Sequence, residues 1–146
     1  NVVDNADFQI SKLNSSSFSL FLENLKENFI MTGYFLNEKL VGFKTGYING
    51  SVLEAGYIGL DYEYNFDYAV YQKMLYDYVD DAIQNNLKEL RFGRTAEEIK
   101  SCLGAEPFDM MLYVRHRNSL SNKVIKPVIK SISPSEFSVR KPFKKI

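Results

Sequence analysis

The chain has 146 residues, 45% of them apolar and 25% charged, a balance that suits one folded domain and excludes a disordered chain. One cysteine, Cys102, excludes an intrachain disulfide, a single histidine, His116, leaves no zinc cluster, and no run of about 18 apolar residues offers a membrane span. The net charge of zero is unevenly divided: residues 115–146 hold nine Lys or Arg against one acid, Glu136, for +8, and residues 1–114 hold nine against seventeen, for −8.

Residues 1–15 are polar and Ser/Asn-rich and read as a leading loop or strand. Phe18, Phe21, Leu22, Leu25 and Phe29 then recur at three- and four-residue steps, the stripe of an amphipathic helix, and the serines before them serve as caps. Residues 31–36, 40–48 and 52–60 are rich in β-branched and aromatic side chains and predict three successive antiparallel strands. Asn37-Glu38-Lys39 separates the first two, and Asn49-Gly50 supplies the positive φ of a tight hairpin before the third.

A long helix follows, with Asp67 as its N-cap and Phe66 stapled onto Tyr71. Its buried stripe is Tyr68, Tyr71, Met74, Leu75, Tyr78, Val79, Ala82 and Ile83, and Asn85-Asn86 ends it. Residues 87–92 predict a short strand, parallel to 52–60 because a helix connects them. Gly93-Arg94 turns the chain. Thr95-Ala96-Glu97-Glu98 is a capping box for a second helix, which Gly104 closes and on whose buried stripe Cys102 packs beside Ile99 and Leu103. Residues 108–114 alternate and predict another strand, 122–132 carry a helical pattern that contains Pro127, and 136–140 suit a last strand.

These elements make a mixed α/β layer fold with a partly antiparallel sheet. Their order resembles the GNAT acyltransferase core. Residues 87–106 are similar to a segment of a bacterial acetyltransferase-domain family that looks like the C-terminal half of FemAB-like peptidyl and aminoacyl transferases. The matching residues are Phe92-Gly93, Thr95, Lys100 and Leu103-Gly104-Ala105, and Leu40-Val41-Gly42-Phe43 matches the family's usual second long strand. The resemblance covers roughly residues 18–117. It implies one GNAT-like domain over 1–146 with a basic extension at 118–146, standing as the C-terminal half of a longer tandem protein whose upstream part the start at Asn1 leaves out. It also implies a cytoplasmic enzyme, a homodimer, and transfer of an acyl or aminoacyl group to an amine. The donor would be acyl-CoA or aminoacyl-tRNA, with no metal, and the acceptor a small molecule or a peptidoglycan-precursor-like amine. One departure stands out. GNAT enzymes carry a Gly-rich loop with Arg or Gln between the third strand and the long helix, where amides hold the donor's pyrophosphate. This chain has Gly59-Leu60-Asp61-Tyr62-Glu63-Tyr64-Asn65-Phe66-Asp67, with three acids and no further glycine.

The candidate site follows from that crossing. Asp61 or Glu63 is the general base for an attacking amine, and Tyr64 the acid for a leaving thiolate or alcohol. Tyr57, Gly59, Leu60, Asn65 and Tyr68 contact the donor. Gly59 lacks a side chain that would block it, and amides of residues 56–60 stabilise the oxyanion. Arg94, Thr95 and Lys100 hold an anion at the start of the short helix. Against these stand plainer readings: solvated acids, tyrosines that only pack, and Arg94 paired with Glu97 or Glu98. A half-domain that binds a substrate or partner without chemistry is the rival to the enzyme, and nucleic-acid binding by the basic tail is a third reading. That tail either folds against the acidic body or meets an anionic partner such as acyl-CoA, tRNA or lipid phosphate.

Overall fold

The computed structural model describes residues 13–93, 96–111, 113–130 and 137–143. The chain divides into two compact units, Asn1–Thr95 and Ala96–Ile146.

The first unit is a four-stranded mixed sheet with a helix on each face. Helix α1 (Ser15–Leu25) is capped by Asn14, whose side chain accepts from the Ser16 amide at 3.2 Å, so the serines lie inside the first turn instead of capping it. A short 3₁₀ turn, Lys26–Asn28, then releases Phe29 into β1 (Phe29–Leu36). β2 (Lys39–Asn49) and β3 (Val52–Leu60) complete the antiparallel trio that the alternation predicts. Asn37 and Glu38 both have positive φ, the pattern of a two-residue hairpin turn. The second hairpin turns on Gly50-Ser51, not Asn49-Gly50: Asn49 pairs with Val52, and only Gly50 has positive φ.

The helical stretch after β3 differs from expectation. It starts six residues early, as α2 (Tyr62–Tyr68), with Asp61 as N-cap. Ala69 then takes a left-handed conformation, φ 47°, and α3 (Val70–Gln84) begins in a new direction. Asp67 therefore caps nothing. Asn65 does that work, accepting from the Tyr71 amide at 2.9 Å. The staple fails too, since Phe66 is 94% exposed. Met74, Leu75, Tyr78 and Ala82 are buried as the stripe requires, joined by Val70, whereas Tyr68 and Ile83 face outward. Asn86, with φ 53°, ends the helix as its residue type allows.

β4 is only Glu89–Arg91, and it runs parallel to β3 over Val52 to Glu54. The sheet order is β1-β2-β3-β4. α1 packs its Phe18 and Phe21 on Phe43, Tyr57 and Tyr47 on one face. α3 lies on the other, and Gly42 lets it approach: a Cβ there would collide with Met74 and press on Val70 at 3.4 Å. Two apolar clusters form this α3-side core, one around Val41, Leu60, Val70 and Met74, the other around Leu53, Tyr78 and Ala82.

Between them lies a buried charge. Lys44, 1% exposed, points from the middle of β2 to α3, where it pairs with Asp81 and sits 4.5 Å from the centre of the Tyr78 ring. Tyr34 donates to Asp77 at 2.8 Å, and Lys73 pairs with the same carboxylate. Burial first, then the Asp77 carboxylate, raises the Tyr34 phenol well above the ordinary range.

The second unit holds α4 (Glu97–Ser101) and α5 (Ser119–Lys130). Gly104, φ 86°, closes the turn after α4 as expected, but Cys102 is exposed instead of packed. The predicted strand at 108–114 is not formed: its described residues are irregular and exposed, and Leu112 lies outside the described set. Residues 137–140 form no strand either, and Glu136 lies outside. Pro127 sits inside α5. Among the described residues no helix is long and apolar enough to cross a membrane.

Candidate functional site

The sheet opens where β3 outruns β4. After Glu54 and Arg91 the two strands no longer pair, so β3 continues from Ala55 to Leu60 with one edge unmatched by any strand among the described residues. A β-bulge marks the start of this stretch. Gly56 and Tyr57 together oppose Thr45, and the Thr45 hydroxyl fills the gap, accepting from the Tyr57 amide at 2.7 Å and donating to its carbonyl at 3.1 Å. Tyr78 braces the bulge from beneath, donating to the Thr45 carbonyl at 2.6 Å while the Gly56 backbone bonds to its oxygen. Burial holds the Tyr78 phenol well above its usual range, partly offset by those backbone bonds.

The alternation of a strand then fixes which amides face the opening. The Tyr57 backbone turns toward β2, and so does the Asp61 amide, which donates to the Val41 carbonyl at 2.9 Å. The amides of Ile58 and Leu60, one residue out of phase, face the open edge. Gly56 is engaged by Tyr78. The expected oxyanion region of residues 56–60 thus narrows to Ile58 and Leu60. Gly59 has a different role from the one its sequence position suggests. Its missing side chain lies on the α1 face, where any Cβ would overlap the Phe43 ring.

Asp61, Glu63 and Tyr64 come together at the start of α2 as one group. The Asp61 carboxylate accepts from the Glu63 amide at 3.2 Å. Glu63 is exposed in the first turn. Tyr64 is half-buried against the Val41 cluster. A fourth residue, absent from the sequence-based set, ties Asp61 to Tyr64. Lys39, at the start of β2, donates to the Tyr64 hydroxyl at 3.1 Å, lies 4.3 Å from its ring centre and pairs with Asp61 at 3.3 Å. The Tyr64 hydroxyl, then Asp61, holds the Lys39 ammonium above the ordinary lysine range. The signal for Lys39 was in the register: Gly42 pairs with Leu60, so the first residues of an antiparallel β2 must lie beside the residues after β3.

The remaining candidates separate. Leu60 is core, and Tyr57 packs on Phe18 with its edge exposed. Asn65 is occupied as the cap of α3. Tyr68 is exposed, its ring 6.3 Å from that of Tyr64. Arg94 and Thr95 lie outside the described residues. Lys100 belongs to the second unit, where it is buried and desolvation lowers its pKa against the opposing pull of Glu97. His116 accepts from the Asn118 amide at 3.0 Å, and among the described residues no cluster of His, Cys, Asp or Glu could hold a metal.

A diphosphate does not fit the start of α2. The Asp61 carboxylate already accepts from the Glu63 amide, and Glu63 adds a second negative charge in the first turn. The open edge of β3 suits something different: an extended, amide-bearing or acyl group that accepts from Ile58 and Leu60.

No protein-family profile matches the chain, and no curated protein matches it in sequence. Among solved structures it is similar to an aminoglycoside acetyltransferase, meta-AAC0020, from an uncultured soil metagenomic sample, in complex with trehalose. The TM-score is 0.56 at 15% identity, over 80% of this chain and 82% of that one. A structure of the same acetyltransferase with sisomicin superposes at a TM-score of 0.48 and 12% identity, over 99% of this chain and 81% of that one. The chain therefore shares the mixed α/β fold of that acetyltransferase.

Proposed function

We propose that the chain is an N-acyltransferase domain that transfers an acyl or aminoacyl group to an amine at the open edge of β3. The observation that carries this reading is the bulge at Gly56-Tyr57 followed by a run to Leu60 that pairs with β2 on one edge and with no described strand on the other, leading into two carboxylates and a tyrosine. In this mechanism the donor carbonyl oxygen accepts from the Ile58 and Leu60 amides, which are fixed by the sheet and need no reorganisation as negative charge develops. The acceptor amine attacks the carbonyl carbon and gives its proton to Glu63, the exposed carboxylate. Asp61 is engaged by Lys39 and by its cap bond, and it orients the amine. The bond to the leaving thiolate or alcohol breaks as Tyr64 donates its phenolic proton, with the Lys39 ammonium beside the resulting oxygen.

The donor is an activated acyl group whose carrier is not gripped by a diphosphate at α2. An acyl-CoA would be held through its acyl end, and an aminoacyl donor is equally compatible. The acceptor is a small amine, and the acidic start of α2 favours a cationic one, in keeping with a fold that also serves an aminoglycoside acetyltransferase. A FemAB-like role with a peptidoglycan-precursor-like acceptor, a homodimer and a cytoplasmic setting belong to the proposal. Asp61's engagement with the Glu63 amide and with Lys39 favours a second reading, a half-domain that binds substrate without chemistry.

The test is a transfer assay with short acyl thioesters and a panel of amines. Glu63→Gln should lower turnover at least about a hundredfold, the usual scale of a general base. Its thermal stability should be unchanged, because the side chain is exposed. Amine binding with no turnover in the unmodified chain would favour the binding half-domain.

A further inference from the structure

The second unit carries a surface that acyl transfer leaves unused. α5 follows Arg115, His116 and Arg117, and residues 115–146 hold nine Lys or Arg against one acid. Among its described side chains the apolar ones at its start are exposed. Leu120 is 73% and Val124 59% exposed, one turn apart on the same face. Together with His116, Ser121 and Ile125 they line a shallow, mostly apolar hollow. The segment leading into the helix extends the apolar character: Phe108, Met110, Met111, Tyr113 and Val114 are all exposed and belong to no strand or helix. Exposed apolar surface on this scale marks a place where something docks.

We propose that α5 docks on an anionic phospholipid surface, lying in the plane of the interface with Leu120 and Val124 inserted. Charge and length select that occupant. α5 itself carries Lys123, Lys126 and Lys130 and no acid, a charge that complements anionic headgroups, while the apolar side suits the acyl boundary just beneath them. Twelve residues make a helix of about 18 Å, too short to cross a bilayer and long enough to lie on one. A protein groove reads a helix through anchors repeated over two turns, and seven residues after Leu120 stands Pro127. A nucleic acid would use the charge and leave the apolar face in water.

The test is co-sedimentation of the full chain with vesicles of phosphatidylcholine alone or mixed with phosphatidylglycerol. Binding is expected only to the mixed vesicles and should weaken as salt rises. Leu120→Asp with Val124→Asp should cut the partition by at least about tenfold, since each buried aliphatic side chain contributes on that scale. The circular dichroism spectrum should not change, because both side chains are already exposed. Lys123→Glu should weaken binding by roughly tenfold through loss and reversal of one charge near the surface. Failure of the unmodified chain to sediment with mixed vesicles at low salt overturns the proposal. So does undiminished binding of the Leu120/Val124 double variant, which would leave only a polybasic tail. A dimer in light scattering that this double variant disperses, without vesicle binding, would assign the face to a second copy instead.

Discussion

Removing the carboxylate of Asp81 should destabilise the fold far more than removing the lysine it neutralises. Lys44 is 1% exposed, and among the described residues its ammonium has Asp81 as its one ion-pair partner, with the Tyr78 ring contributing about 1 kcal/mol more. In Asp81→Asn the cation stays buried without a counter-charge, which typically costs about 3–5 kcal/mol. The expected loss is therefore about 3 kcal/mol, a fall in melting temperature of roughly 6–12 °C for a chain of this size. Lys44→Met removes the buried charge and keeps the volume, and Asp81 retains access to water, so the cost should be under about 1.5 kcal/mol. The Lys44→Met/Asp81→Asn double variant should recover most of what Asp81→Asn loses. Urea denaturation followed by circular dichroism measures all three. An Asp81→Asn cost below about 1 kcal/mol, or a Lys44→Met cost equal to it, would refute the reasoning.

Gly59→Ala should destabilise by about 1–3 kcal/mol because its Cβ overlaps the Phe43 ring, and Phe43→Leu in the same chain should recover part of that loss in a thermal melt. Stability should fall as pH rises above about 10, where unfolded tyrosines release protons that folded Tyr34 and Tyr78 retain. Both folded pKa values are raised, so their contribution is complete below the unfolded value and is lost on the alkaline side. Tyr34→Phe should flatten that decline in urea midpoints taken between pH 9 and 11. Phe66→Ser, at a side chain 94% exposed, should change stability by less than about 0.5 kcal/mol, which a melt can check against the stapled arrangement that the sequence suggested.

The antiparallel trio was legible because alternation and turn residues act locally: residues 31–36, 40–48 and 52–60 pattern correctly without reference to the rest of the chain. The break at Ala69 was not, because alanine is the strongest helix former and nothing in its type announces a left-handed φ. It is tertiary packing of Val70 and Met74 on Gly42 that sets the new helix direction. Asp67 and Phe66 misled for the same reason, as a good cap and a good staple only work where the helix actually begins. Lys44 was invisible because a lysine amid strand residues reads as solvent-facing, and only the acids of α3 opposite it make burial tolerable. At the candidate site, Asp61, Glu63 and Tyr64 were named from their place after the third strand, while Lys39 required counting the β2–β3 register.

Acyl transfer at the open edge of β3 is tested most directly by amide chemical shifts during titration with S-acetyl-N-acetylcysteamine, a thioester without a diphosphate, alongside acetyl-CoA. The largest saturable shifts should fall on the Ile58 and Leu60 amides, and the two donors should perturb them alike, because the start of α2 offers the diphosphate no cradle. Shifts confined to other residues, or shifts at Ile58 and Leu60 that require the diphosphate, would contradict it.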